Sequence, residues 1–207
     1  MDASDWDERY RATDRLWSVE PNLFVADRLA HASPGLGVDL AGGEGRNAVW
    51  LASLGWEMTV VDFSEAAIER GRAAQPEHVD FVVADVLSWE PSQKVDLVLI
   101  AYLHLPAAQM ASVVERAQRW LRPGGELFMI GHDRANLEEG HGGPQDPEIL
   151  WDVDEILTLV DGEIVEAIVV RRPVDTADGT VFALDTLVRS RRRLGSESVQ
   201  GSVESVD

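Results

Sequence analysis

Through most of its length the chain alternates short apolar runs with longer amphipathic ones, and this alternation restricts the architecture more than any single motif. The apolar runs are Gly37 to Ala41, Met58 to Phe63, Val79 to Ala84, Val95 to Tyr102 and Glu126 to Gly131. Most are too continuously apolar to have a wet face, so they read as parallel strands buried on both sides. Between them, Ala48 to Leu54, Glu65 to Ala74 and Ala107 to Leu121 have helical character. In the last of these, Met110, Val113, Val114, Ala117, Trp120 and Leu121 share one face. Strands alternating with helices predict an α/β chain with a doubly wound, mostly parallel sheet and helices on both faces.

The two ends depart from this rhythm. Ile164 to Arg171 and Thr180 to Arg189 are strand-like and separated only by Pro173 to Gly179, in which Asp178-Gly179 is a turn dipeptide. An antiparallel hairpin there would close one edge of the sheet and bring the strand count to seven. Before the first strand, Asp5 to Trp17 and Asn22 to Ala32 can form helices, so residues 1–34 are expected to make a helical cover that brings Trp6, Tyr10, Trp17 and Phe24. The tail GSESVQGSVESVD is rich in Gly and Ser and lacks apolar periodicity. One domain over residues 1–194 followed by a disordered tail at 195–207 is the expectation.

Charge and composition exclude several classes. A formal net charge of -19 would repel a polyphosphate backbone, which argues against nucleic acid as a partner. The absence of cysteine removes disulfides, thiolate metal ligands and a cysteine nucleophile. The start MDASDWDERY has no signal-peptide pattern, and no apolar run approaches the ~18 residues of a membrane span. A cytoplasmic protein with no membrane partner, monomeric or homodimeric, is expected.

The functional signal lies in VDLAGGEGRNAVWLASLG, where the first strand runs into three glycines within four residues. In an open parallel sheet, ligands bind beyond the carboxyl ends of the strands where strand order reverses, and a glycine turn after the first strand marks that place. Gly43, Gly45 and Ala48 fit a dinucleotide fingerprint, with Asp62 ending the second strand. Glu44 inside the turn and Asp39 just before it argue otherwise, because they put carboxylates beside the place a pyrophosphate would occupy. A ligand with an ammonium group, a small carboxylate and a sulfonium cation fits this mixed surface better.

Asp39-Leu-Ala-Gly-Gly-Glu-Gly45 resembles the first motif of class I S-adenosylmethionine-dependent methyltransferases, which have a Rossmann-like seven-stranded sheet. The resemblance continues in order through Asp62, Asp85 in FVVADVLSW, VDLVLIAYLHL, WLRPGGELFMI and the terminal hairpin, covering roughly Trp6 to Arg189. Within the family, WDERYRATDRLWSVEPN beside the glycine loop looks most like the small tellurite-resistance and thiopurine-type branch. Ala41 stands where the family's first glycine is usual, and its methyl is small enough for the turn if φ is negative there.

The resemblance implies S-adenosyl-L-methionine as cofactor, S-adenosyl-L-homocysteine as product and a small-molecule methyl acceptor as partner. It implies that backbone amides from Ala41 through Gly42 and Gly43 to Gly45 receive the methionine portion, with Arg46 and Asn47 near its carboxylate. Asp62 would accept from both ribose hydroxyls, Phe63 would pack on adenine, Asp85 would accept from the adenine amino group, and Val86 would offer its amide to a ring nitrogen. Asp39, Ser64, Ala101 and Tyr102 complete the expected cofactor site, with Trp6, Tyr10 and Trp17 as contacts from the cover.

For catalysis, positioning supplies much of the rate because the sulfonium already activates the methyl. A general base for an oxygen or nitrogen acceptor has candidates in His104 after the fourth strand, His132 and Asp133 after the fifth, and His141 beyond. Of these His104 leads, with His132 beside it, whereas a soft sulfur, selenium or tellurium acceptor needs no base. No metal is expected, since neither histidine spacing nor cysteine supports one. The run from Arg134 to Trp151 reads as a long loop and candidate lid. Two competing readings are an NAD-dependent oxidoreductase and a non-catalytic S-adenosylmethionine-binding regulator.

Overall fold

The computed structural model describes residues 3–12 and 18–194, and Trp17 and the 195–207 tail lie outside them. The order is α1 (Ala3–Ala12), α2 (Leu23–Leu29), β1 (Leu36–Leu40), α3 (Arg46–Ser53), β2 (Glu57–Asp62), α4 (Glu65–Ala73) and β3 (Val79–Val83). There follow β4 (Val95–Ala101), α5 (Ala107–Trp120), β5 (Leu121–His132), α6 (Asn136–Glu139), α7 (Val153–Leu159), β6 (Glu163–Thr176) and β7 (Gly179–Arg191). The strands form one seven-stranded sheet in the order β3-β2-β1-β4-β5-β7-β6. β1 to β5 are parallel, and β7 runs antiparallel to both β5 and β6. Strand order therefore reverses between β1 and β4, as the alternating pattern requires.

Each face of the sheet carries a core, which is why the central strands are apolar throughout. Val38 and Leu40 of β1, with Val98, Ile100 and Met129, pack against Met110, Val113, Val114 and Ala117 of α5. Val60, Leu97, Leu99, Phe128 and Ile130 point the other way, onto Val25 and Leu29 of α2, Ala48 and Leu51 of α3, and Ile68 of α4. α2 is anchored by sequence: Asn22 is its N-cap and accepts from the amides of Phe24 and Val25.

Two local readings are corrected and one helix is added to them. β6 runs straight through Pro173, which an edge strand tolerates because one side of it has no ladder to break. Helix α7, in which Asp152 accepts from Asp154 and Glu155, has too short an apolar stripe to stand out in the sequence. The Arg134 to Trp151 segment is also more ordered than a bare loop. It contains α6, and its ends are tied by a bridge between Asp133 and Trp151, with Arg134 N–H donating to Trp151 and Trp151 N–H donating to His132.

Candidate functional site

The turn after β1 sits at the reversal point. Gly43 and Gly45 have φ of 58° and 78°, and a Cβ on Gly43 would come within 2.5 Å of the Tyr10 hydroxyl. Both positions therefore need glycine, and the close approach at Gly43 is made by a side chain of α1. Ala41 also has a positive φ, 55°, so the negative value that would have suited its methyl is not adopted. The left-handed region costs a non-glycine residue about 1–2 kcal/mol, which the surrounding turn must offset. Gly42 lies over Asp39, where a Cβ would meet its carboxyl at 2.9 Å.

Charges at this turn are unevenly matched. Asp39 is fully buried and neither carboxylate oxygen has a hydrogen bond of good geometry, although the Ala48 amide is near enough to pull on its charge. Burial pushes its pKa up to about 7, with Arg46 pulling down and Asp62 pushing further up. Burial in turn disfavours the charge on half-buried Arg46, against the pull of Tyr102 and Asp39. Arg46 donates to Ser18 at 2.9 Å, and no ion pair joins it to Asp39. Glu44 turns away to Arg70 on α4 at 3.2 Å, so it is largely neutralised. The repulsion expected for a pyrophosphate thus falls to Asp39 and Asp62 rather than to Glu44.

At the end of β2, Asp62 is buried and accepts from the amides of Gly43 at 2.9 Å and Ser64 at 2.8 Å, one on each oxygen. Burial raises its pKa and those two amides oppose the rise. Each oxygen keeps a spare lone pair. Phe63 beside it is half-buried, Val86 is buried, and Asp85 is exposed at the end of β3, where it accepts from the Leu87 amide. Ser64 caps α4 by accepting from Ala67 and donates to Asp7 of α1 at 2.6 Å; Asp7 also accepts from the Ala66 amide. That contact docks α1, with Trp6 and Tyr10 packed over Ala66 and Ala67.

A second polar cluster lies at the carboxyl ends of β4 and β5. Half-buried Ala101 ends β4, and Tyr102 follows with φ of 60°, held by its amide to Ile130 at 2.7 Å. Such strain in a non-glycine residue concentrates at functional sites. The Tyr102 hydroxyl accepts from Asn22 at 2.9 Å and donates to Asp185 of β7 at 2.7 Å, and Arg172 of β6 donates to the same Asp185 oxygen at 2.7 Å. Asn47 belongs to this scaffold too, its side-chain oxygen accepting from the Asn22 amide at 2.8 Å.

The other Asp185 oxygen, Oδ1, stands 3.2 Å from Nδ1 of His132 but out of line for a straight hydrogen bond. Burial raises Asp185, and His132, Arg172 and Tyr102 together outweigh it, leaving the carboxyl below its ordinary range. His104 stacks on His132 with ring centroids 5.4 Å apart, and Trp151 flanks it at 6.0 Å. Because a carbonyl can only accept, the 3.1 Å contact with Ile149 places the His104 proton on Nδ1. Burial lowers the His104 pKa to about 4, so the ring is neutral at pH 7 with a bare Nε2. Nε2 of His104, Nδ1 of His132, Nε1 of Trp151 and Oδ1 of Asp185 are all buried without an aligned partner. Orphaned buried polar atoms are rare, and four in one cluster mark a built polar site.

The remaining candidates fall outside it. Asp133 accepts from Thr186 at 2.5 Å and from the Ala135 amide, which fixes the root of the following loop. His141 is exposed. Among the described residues no group of three or more His, Cys, Asp or Glu side chains could hold a metal. Asp185 and Arg172 were not picked out from the sequence. The available signal was a carboxylate inside the apolar alternation of TVFALDTLV, which the antiparallel register sets directly opposite His132.

Residues 38–125 match a family described as methyltransferase domain. The chain is 36% identical over 132 residues to the ubiquinone/menaquinone biosynthesis C-methyltransferase UbiE of Acidiphilium cryptum, covering 59% of this chain and 51% of that protein. It is 31% identical over 150 residues to nodulation protein S of Rhizobium tropici, covering 64% and 62%. The chain thus spans between half and two thirds of the length of these relatives. Among solved structures, TehB from Haemophilus influenzae superposes with a TM-score of 0.70 at 16% identity, over 93% of this chain and 68% of that one. The N-methyltransferase NodS from Bradyrhizobium japonicum, solved with S-adenosyl-L-homocysteine, gives 0.66 at 22% identity over 93% and 99%. These likenesses establish the fold.

Proposed function

We propose that the chain is a class I S-adenosylmethionine-dependent methyltransferase that transfers a methyl group from S-adenosyl-L-methionine to a small-molecule acceptor, a reading supported by the match of residues 38–125 to a methyltransferase domain. The observation that carries this reading is Asp39, a fully buried carboxylate without a well-aligned hydrogen bond, beneath the glycine turn and beside an Arg46 that forms no ion pair with it. A ligand end with both an ammonium and a carboxylate supplies the missing partner to each. A pyrophosphate would leave Asp39 unpaired and add like charge next to it.

In this reading the amides from Ala41 to Gly45, with Asp39 and Arg46, hold the amino-acid end. Asp62 takes the ribose hydroxyls on its spare lone pairs, and Phe63, Asp85 and Val86 hold the adenine. Tyr10 covers the turn. Asn47 serves the scaffold, because its side-chain oxygen is already taken. Bound there, the cofactor would supply a methyl group activated by its sulfonium, the sulfur retaining the electron pair of the carbon–sulfur bond. The acceptor lies against His104, His132, Tyr102 and Trp151 at the ends of β4 and β5, and the Arg134 to Trp151 segment keeps water from it.

Calorimetry with S-adenosylmethionine, S-adenosylhomocysteine, NAD and NADP tests the reading. One site per chain for the first two, without comparable binding of the others, is the expected result. Tight NAD binding with no S-adenosylhomocysteine binding overturns it.

A further inference from the structure

We infer that the acceptor carries an O–H or N–H bond, and that His132, oriented by Asp185, removes its proton. This deepens the methyl-transfer reading and rests on it. The alternative, a soft acceptor such as a thioether or a halide, loses no proton on methylation and requires no base. The chain has instead built one where the acceptor should lie.

The argument turns on Asp185. A carboxylate buried in the sheet is expensive unless its oxygens are matched. Tyr102 and Arg172 both donate to Oδ2, which holds the carboxylate in one orientation, and Asn22 fixes the Tyr102 hydroxyl from behind. Oδ1 is left facing Nδ1 of His132 at 3.2 Å. Scaffolding alone would have been served by Oδ2 and its two donors. Though out of line for a straight hydrogen bond, an ionised Oδ1 this close favours by its charge the tautomer of His132 with its proton on Nδ1, and Nε2 then carries the lone pair.

His104 is poorly suited to act as the base. Its Nδ1 is committed to Ile149, and burial holds its pKa near 4, far below the neutral range in which a base works best. Its bare Nε2 can instead accept a hydrogen bond and so align the acceptor. In the step itself the X–H bond of the acceptor breaks and the proton passes to Nε2 of His132. The electron pair stays on X to form the bond to the methyl carbon. The resulting imidazolium faces the Asp185 carboxylate, and the proton leaves to water. Asp185, Tyr102 and Arg172 are positioning residues here.

Nitrogen-15 NMR of the histidine-labelled full chain tests this without turnover. The expected spectrum at pH 8 has His132 protonated on Nδ1 and bare on Nε2, and Asp185→Asn shifts the population toward the opposite tautomer. Tyr102→Phe gives a smaller shift in the same direction and serves where Asp185→Asn does not fold. A parent His132 protonated on Nε2, or a tautomer indifferent to both changes, overturns the inference. S-adenosylhomocysteine binding is measured in the same samples: retained binding with the wrong tautomer refutes this inference alone, whereas absent binding refutes the methyl-transfer reading.

Discussion

Replacing Asp39 with Asn would remove a buried acid whose pKa burial has raised from 3.8 to about 7. An acid that binds its proton more tightly when folded contributes stability that is fully present below the unfolded pKa. That stability is lost as pH rises through the folded one. The window is therefore about pH 4 to 7, and stability falls across it. At about 1.4 kcal/mol per unit, the full loss in the parent is about 4 kcal/mol, of which about 1.5 is already lost at pH 5. Asparagine does not titrate, so Asp39→Asn should gain on the parent by about 2–3 kcal/mol between pH 5 and pH 8. Urea unfolding of both proteins without cofactor, followed by tryptophan fluorescence, measures that difference, and pH-independent effects of the substitution cancel in it. A gap between parent and variant that stays constant within about 0.5 kcal/mol would show that Asp39 finds a partner or solvent in solution. It would also remove the main support for an ammonium-bearing ligand.

Three further outcomes are expected. Asp62→Ala should weaken S-adenosylhomocysteine binding by about 1.5–3 kcal/mol in calorimetry while the chain stays folded, since the lost acceptor is a charged one; undiminished affinity would reduce Asp62 to a brace for the turn. Tyr102→Phe should cost about 1–3 kcal/mol in denaturant unfolding because it strands the Asn22 donor, and a neutral result would mean that water replaces the hydroxyl. Asp7→Ala should speed amide exchange through α1 without changing that of β4, because it removes the contacts to Ser64 and Ala66; unchanged exchange in α1 would show that its apolar contacts suffice.

Much of this arrangement was legible in the sequence because it follows from local rules. Continuous apolar runs can only be central strands, and a glycine turn after the first of them sits at the reversal point, so the positions of Asp39, Asp62 and Asp85 follow from chain order alone. The parts that were not legible depend on pairing across long separations. Nothing near Asp185 in the chain announces that it faces His132, which lies 53 residues away by number; only the β5–β7 register puts them together. Asn47 looks like a ligand residue by its place after the turn, yet its partner is the Asn22 amide on another helix. The sign of φ at Ala41 was equally out of reach, because a methyl group in a glycine-rich turn is compatible with either hand until the neighbouring strands fix the path.

The pinched root of the Arg134 to Trp151 segment has a bearing on how such a protein diversifies. Its two ends are held together by the Asp133–Trp151 bridge and by amides on both strands, while residues such as Gly143 and Ile149 reach across to the two histidine rings. A segment with a fixed root behaves as a cassette. Doubling its length adds only about 0.6 kcal/mol of closure entropy, and the sheet beneath does not register the change. The roof over the histidine pair can therefore be rewritten by insertion, deletion or grafting while Asp185, Tyr102 and the glycine turn stay where they are, which separates the evolution of what is held from the evolution of what is done to it.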